Sequence, residues 1–261
     1  MELRTLASGS SGNCILFSHK GEHLLVDAGI SCRRITASLR ALGVEPRALV
    51  GVCITHEHSD HISGLATLTK QYGLPVYTSP GTGRQLCYRM AGLEELLRPL
   101  SPGEEAQAGP FALRGFATSH DASEPMGFTL SAGGKKAAVV TDLGYVSEEV
   151  LRGVLGAQAV VCEANHDEDW LRTGPYPYYL KARILGDRGH LSNEAGAQLA
   201  LRCVQAGAHT VLLAHLSAEN NSPLRALETV SRTLRAAGVE PERDLKLAVA
   251  PRGEPSPCYE V

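Results

Sequence analysis

A disulfide or thiolate-metal framework is missing from this 261-residue chain. Its seven cysteines, Cys14 through Cys258, are odd in number, widely spaced and never form a C-x-x-C pair. Such a set suits a reducing compartment, and a cytoplasmic location is expected. Long apolar runs are missing too: none approaches the roughly 18 residues of a membrane span. The opening MELRTLASGSSGN lacks a basic stretch followed by an apolar one, so the expectation is a soluble, unprocessed protein without a membrane partner. Excess charge of one sign is absent, with 25 Lys and Arg against 28 Asp and Glu and a net charge of −3. A nucleic-acid partner would therefore have to be met by a local positive strip rather than a global field. There is no Pro/Ser-rich linker, no block of five like charges and no repeat of fixed period. RPLSPGEEAQAGP (98–110) reads as a surface loop, and residues 1–261 as a single domain.

What is present is an ordinary globular mixture, 43% hydrophobic and 20% charged. Short β-branched or apolar runs (NCILFS, HLLVDAG, LVGVCIT, KKAAVVTD, AVVCEAN, TVLLAHLS) read as buried strands, several ending on a polar residue. Helical periods fall at 31–42, 61–72, 147–155, 192–206 and 223–237. Strand–helix alternation predicts an α/β fold, and close strand spacing at 2–27 and 105–141 predicts antiparallel hairpins within it.

The stretch THEHSDHISG follows directly on an apolar run and opens a helical period. It crowds His56, His58, Asp60 and His61 into six positions. A strand end projects side chains into the loop beyond it, so three imidazoles and a carboxylate at this spacing point to a metal site. The bland alternative is a helix start capped by Asp60, with solvated histidines. Other strand-end residues are ambiguous singly: Asp27 and Asp142 read as cap or turn carboxylates, and His120 as a surface histidine.

Taken together, these residues resemble the metallo-β-lactamase-fold hydrolases, whose signature H-x-H-x-D-H is met in full by His56-Glu57-His58-Ser59-Asp60-His61. The resemblance implies a four-layer αββα sandwich of two mixed sheets with outer helices. It implies two divalent metal ions, Zn2+ or Mn2+: His56, His58 and His120 on one, Asp60, His61 and His215 on the other, and Asp142 between them. Asp27 would orient the ligand loop by hydrogen bonds. Asp60 and His190 are the residues assigned to catalysis.

The span from Asp142 through His190 to His215 leaves no room for a β-CASP insert, so the domain is expected to lack one. The tail after His215 is too short for the helical domain of the glyoxalase II family, and His58 stands where flavodiiron proteins carry Glu. GHLSNEAGAQLA resembles the His-Ser/Thr motif of the phosphodiesterase branch seen in tRNase Z, with His190 outside the metal shell and Ser192 or Asn193 capping the following helix. More narrowly, SGSSGN, THEHSDH, SHDA, TDLG, EANHD, GHLSN and HLS-x-x-N are similar to the YycJ/WalJ (VicX) group, which implies 5′-to-3′ DNA exonuclease activity and DNA repair.

Substrate contacts are expected from Ser8, Ser10, Ser11 and Asn13, whose loop offers backbone N–H groups to an anion, and from His166, Ser192 and Asn220. YPYYLKARILGDRGH adds tyrosine faces with Lys181 and Arg183, the local positive strip required above; an ordinary amphipathic helix is the competing account. The expected function is a two-metal phosphodiesterase, an exonuclease on DNA ends, with RNA the open alternative as substrate. A small-molecule hydrolase (lactone, thioester or cyclic phosphodiester) and a non-catalytic regulatory protein are the competing functions.

Overall fold

A computed structural model describes residues 1–261. In chain order the first half comprises β1 (Glu2–Ala7), β2 (Cys14–His19), β3 (Glu22–Val26), α1 (Cys32–Ala41), β4 (Leu49–Cys53), α2 (Ser59–Ile62), α3 (Leu65–Tyr72), β5 (Val76–Thr78), α4 (Pro80–Arg89) and β6 (Leu97–Pro99). It continues with β7 (Glu105–Ala108), β8 (Phe111–Ala117), β9 (Met126–Ala132), β10 (Lys135–Val140), α5 (Glu148–Val154), β11 (Ala159–Glu163), α6 (Glu168–Thr173) and α7 (Tyr178–Leu185). The last elements are α8 (Asn193–Gln205), β12 (Thr210–Ala214), α9 (Pro223–Ala236), α10 (Pro241–Asp244), β13 (Lys246–Val249) and β14 (Tyr259–Glu260).

The strands form two seven-stranded mixed sheets, ordered β14-β1-β2-β3-β4-β5-β6 and β13-β12-β11-β10-β9-β8-β7. In each, an antiparallel hairpin half passes into a parallel half, at β3/β4 in the first sheet and β10/β11 in the second. The period-two alternation of strands explains the layering. Ile15 and Phe17 of β2 face the inter-sheet core with Phe111, Phe128, Val139 and Leu212, whereas Leu16 between them faces Ile35, Leu39 and Leu65 of the outer helices. On the second sheet Val140 and Val160 meet Val150 and Leu199, and Val211 and Leu213 meet Val230 and Leu234. Strands buried on both faces are read as continuous apolar runs because no face needs a polar residue.

Two local expectations differ from the structure. The period at 61–72 is not one helix: it breaks at Ser63–Gly64 into α2 and α3. A Cβ at Gly64 would overlap the Ile30 carbonyl oxygen, and the Gly64 N–H donates to Ala28 O at 2.8 Å, so the chain must turn there. The 98–110 stretch is not all loop, since it contributes the end of β6 and all of β7, an edge strand paired antiparallel to β8.

Candidate active site

The ends of β3, β4, β8, β10, β11 and β12 converge on one rim, the position where open α/β sheets bind ligands. Lys20 aside, the non-glycine residues with positive φ are Asp27 (62°), Asp142 (62°) and His215 (56°), each just past a strand. A left-handed conformation costs a non-glycine residue about 1–3 kcal/mol, which persists only where surrounding contacts impose it.

Those contacts are visible at Asp27. Its carboxylate accepts from the Thr55 N–H at 2.9 Å, from the Thr55 hydroxyl at 3.0 Å and from His61 Nδ1 at 2.7 Å. Three bonds to one buried carboxylate thus fix the 55–61 loop. Asn13 N–H donates to Asp60 O and Ala28 N–H to His61 O, both at 2.8 Å, closing the loop from behind. Glu57 is buried and turns the other way, accepting from the Ser123 N–H at 2.8 Å and the Thr82 hydroxyl at 3.3 Å. His56 and His58 therefore turn inward.

Tautomers follow from partners. His120 Nδ1 faces the Gly189 carbonyl at 3.0 Å and so carries its proton, which leaves a lone pair on Nε2, 3.3 Å from His58 Nδ1. His61 Nδ1 donates to Asp27, and its Nε2 lone pair lies 3.4 Å from Asp142 Oδ2 and 3.5 Å from Asp60 Oδ2. His215 Nε2 lies 3.4 Å from Asp60 Oδ2. Donor atoms of His56, His58 and His120 cluster within 4.8 Å of one another, as do those of Asp60, His61 and His215, and those of His56, His61 and Asp142. His56 Nε2 and Asp142 Oδ2 are buried with no hydrogen-bond partner. Imidazole nitrogens and carboxylate oxygens crowded together at these distances form a donor set that cations satisfy.

Electrostatics agree. Burial works against a charged His215, yet the Asp142 carboxylate, with Asp60 and Glu163, outweighs it and raises its pKa to about 10. Burial would likewise raise the pKa of Asp142, but the charges of His215, His61, His56 and His120 hold it well below the usual carboxylate range. The pocket demands positive charge, and the residues present fit divalent ions.

Glu163, at the end of β11 and first residue of the EANHD segment, is the hub of the second half. Its Oε1 accepts from His190 Nδ1 at 2.9 Å and His215 Nδ1 at 3.0 Å, and its Oε2 from the Leu191 N–H at 3.0 Å and the Leu143 N–H at 3.3 Å. Burial pushes its pKa up, but the His190 charge and the hydrogen bonds from His190 and His215 bring it down to about 2. Asp121 was not singled out beyond the SHDA segment. Its Oδ1 lies 3.3 Å from His120 Nε2, and its Oδ2 accepts from Arg183 Nε at 2.5 Å.

A model of the metallo-beta-lactamase superfamily matches residues 7–215. The chain belongs to that superfamily. Within it, the chain is 36% identical over 239 residues to exodeoxyribonuclease YycJ of Bacillus anthracis, covering 91% of this chain and 90% of that one. It is 35% identical over 259 residues to exodeoxyribonuclease WalJ of Streptococcus pneumoniae serotype 2, covering 98% and 96%. The metallo-beta-lactamase fold protein YhfI from Bacillus subtilis covers the whole of both chains with a TM-score of 0.70 at 17% identity, a likeness of fold.

The cluster borders an open cavity of about 240 Å3, lined by His58, Asp60, His120, Asp142, His190 and His215. Of the expected substrate residues, Ser10 and Arg183 line it, joined by Asn165, Tyr176, Leu180, Ile184 and Ser217. The others are absent from its wall. Ser8 Oγ accepts from the His215 N–H at 2.8 Å, and Asn13 bonds Gly9 and His61 Nε2, so both hold the ligand loops. Ser192 caps α8 by accepting from the Ala195 N–H. Lys181 Nζ donates to Arg172 O, and Ser11 is exposed. His166 and Asn220 are buried with unpartnered side-chain nitrogen and oxygen atoms, and burial lowers the His166 pKa to about 4.

Proposed function

We propose that the protein is a two-metal-dependent phosphodiesterase acting as an exonuclease on DNA ends. The observation that carries this is His190, held at Nδ1 by Glu163 on the wall of a cavity that His58, Asp60, His120, Asp142 and His215 of the metal-donor set also line. The names of the YycJ and WalJ relatives support the nuclease assignment.

In this reading His56, His58 and His120 would hold one ion, Asp60, His61 and His215 the other, and Asp142 both. The nitrogen-rich set suits zinc, and a mixed His/Asp set also accepts manganese. Divalent ions bound there would lower the pKa of a coordinated water toward neutrality and neutralise charge developing on phosphoryl oxygens. The chain's own residues do the rest. Arg183 holds the scissile phosphate against the wall, and Asp60 Oδ2 takes the proton of the attacking water. His190 gives the proton on Nε2 to the leaving oxygen, while Glu163 stabilises the ring and keeps its orientation. The reading extends to DNA repair in the cytoplasm, in keeping with seven unpaired cysteines.

The small cavity favours one other reading, a hydrolase of small phosphodiesters or esters. A time course with Mn2+ on 5′-labelled and 3′-labelled duplexes, beside bis(p-nitrophenyl) phosphate, separates the two. Mononucleotides released from one labelled end are expected; turnover of the small ester alone would replace the nuclease with the small-molecule enzyme.

A further inference from the structure

Helix α7 is an oddity of this fold. It spans eight residues, Tyr178–Leu185, and buries none of them. A helix that short is not stable by itself in water, and no core packing holds it. Polar ties do: Arg183 to Asp121, and Lys181 Nζ to the Arg172 carbonyl at 2.7 Å. Its inward residues Leu180, Arg183 and Ile184, with Tyr176 just before the helix, follow helical spacing and form one wall of the cavity that His58, Asp60 and His190 floor. Outward, Tyr178 and Tyr179 are 86% and 74% exposed, among the few large hydrophobic residues left to solvent. Tyr145, half exposed, adjoins the same region, its N–H bonded to the Ser119 hydroxyl one position before His120.

Exposed aromatic rings grouped beside a functional cavity are informative where a lone one would not be. The cavity is itself informative. At about 240 Å3 the cavity matches a single nucleotide better than a base pair, so a duplex end fits it best with its terminal nucleotide unpaired. Opened bases need a new stacking partner, and a tyrosine face accepts any base. Arg183 is the cation on the cavity wall placed for a phosphate, while Arg188 braces the His120 loop, its Nε donating to His120 O at 3.1 Å.

We propose that α7 is a strand-end clamp: one strand enters the cavity a single unpaired nucleotide at a time beneath α7, while the bases that follow stack on Tyr178 and Tyr179. This rests on the nuclease reading above and specifies the form of DNA that it takes. Arg183, steered by Asp121, grips the phosphate, and the tyrosine pair prevents the opened end from re-pairing.

The test compares wild type with the double variant Tyr178→Ala/Tyr179→Ala, with Mn2+, on single-stranded DNA, blunt duplex, duplex with two mismatched terminal pairs, and bis(p-nitrophenyl) phosphate. Wild type is expected to cleave single strands and mismatched ends several-fold faster than blunt ends. In the double variant the ratio of kcat/KM for DNA to that for the ester is expected to fall about tenfold or more, and Tyr178→Phe/Tyr179→Phe to restore it. Equal rates on blunt and mismatched ends, or an unchanged ratio in the alanine variant, overturn the clamp and leave the nuclease standing. Ester turnover with no DNA cleaved in any form removes both.

Discussion

Replacing Glu163 by Gln changes one atom, and the structure says what that atom must do. The carboxylate is buried and takes four donors: two imidazole Nδ1 groups on Oε1 and two backbone N–H groups on Oε2. An amide has one acceptor oxygen. If that oxygen faces the histidines, the new NH2 points at the Leu191 and Leu143 N–H groups, leaving two buried donors unsatisfied at about 1–3 kcal/mol each. If the amide flips, His215 Nδ1 must become the acceptor, and its proton moves to Nε2, the atom 3.4 Å from Asp60 Oδ2. Loss of the charge also weakens each remaining bond, since charge-assisted bonds are roughly twice as strong as neutral ones. The expected outcome is a stability loss of about 3 kcal/mol, read by urea denaturation in EDTA. A roughly 10–100-fold weaker affinity for one of two ions, read by calorimetric titration with Mn2+, should accompany it. A Glu163→Gln protein with wild-type stability and both affinities within twofold would refute the hub role.

His190→Ala is expected to cut phosphodiester turnover roughly 10²–10⁴-fold while metal content stays at the wild-type value, whereas His215→Ala loses metal; elemental analysis beside a rate assay distinguishes them. Gly29→Ala should cost about 3 kcal/mol and displace the ligand loop, because its Cβ would overlap the Asp60 carbonyl oxygen; thermal melts and metal content read this. His166 is held neutral, its pKa depressed from 6.5 to about 4 chiefly by burial. The unfolded chain therefore takes the proton first, so the stability gained from a neutral ring is whole above pH 6.5 and is lost as pH falls toward 4. That difference is worth about 3 kcal/mol. Denaturation in EDTA across that window should show a dependence that His166→Gln makes shallower, His56 and His120, also depressed by burial, supplying the remainder.

The fold's layers were legible because their cause is local. A strand covered on both faces must be apolar at every position, and the runs at 49–55, 159–165 and 210–217 carry that demand in their own composition. His56, His58, Asp60 and His61 were legible for a similar reason, since strand end, loop and helix start place them close together in the chain, although Asp27, Asn13 and Ala28 fix the loop that carries them. Less legible were elements whose stability comes from neighbours. β5 and β6 are three residues each and β14 is two, too short for a periodic signal.

The sequence by itself determined which residue types stand at the strand ends, and from their spacing a cluster of metal donors in an α/β fold. Only the tertiary structure decided what each atom faces. Ser8, expected at the substrate, supports His215 across 207 positions of chain, whereas Ser192 is the helix cap that the sequence offered. Glu163 joins His190 and His215, which sit on different loops, and Asp121 ties the histidine centre to α7. Hydrogen-bond partners, tautomers and burial are properties of pairs brought together from far apart, and periodicity along one segment carries no trace of the other.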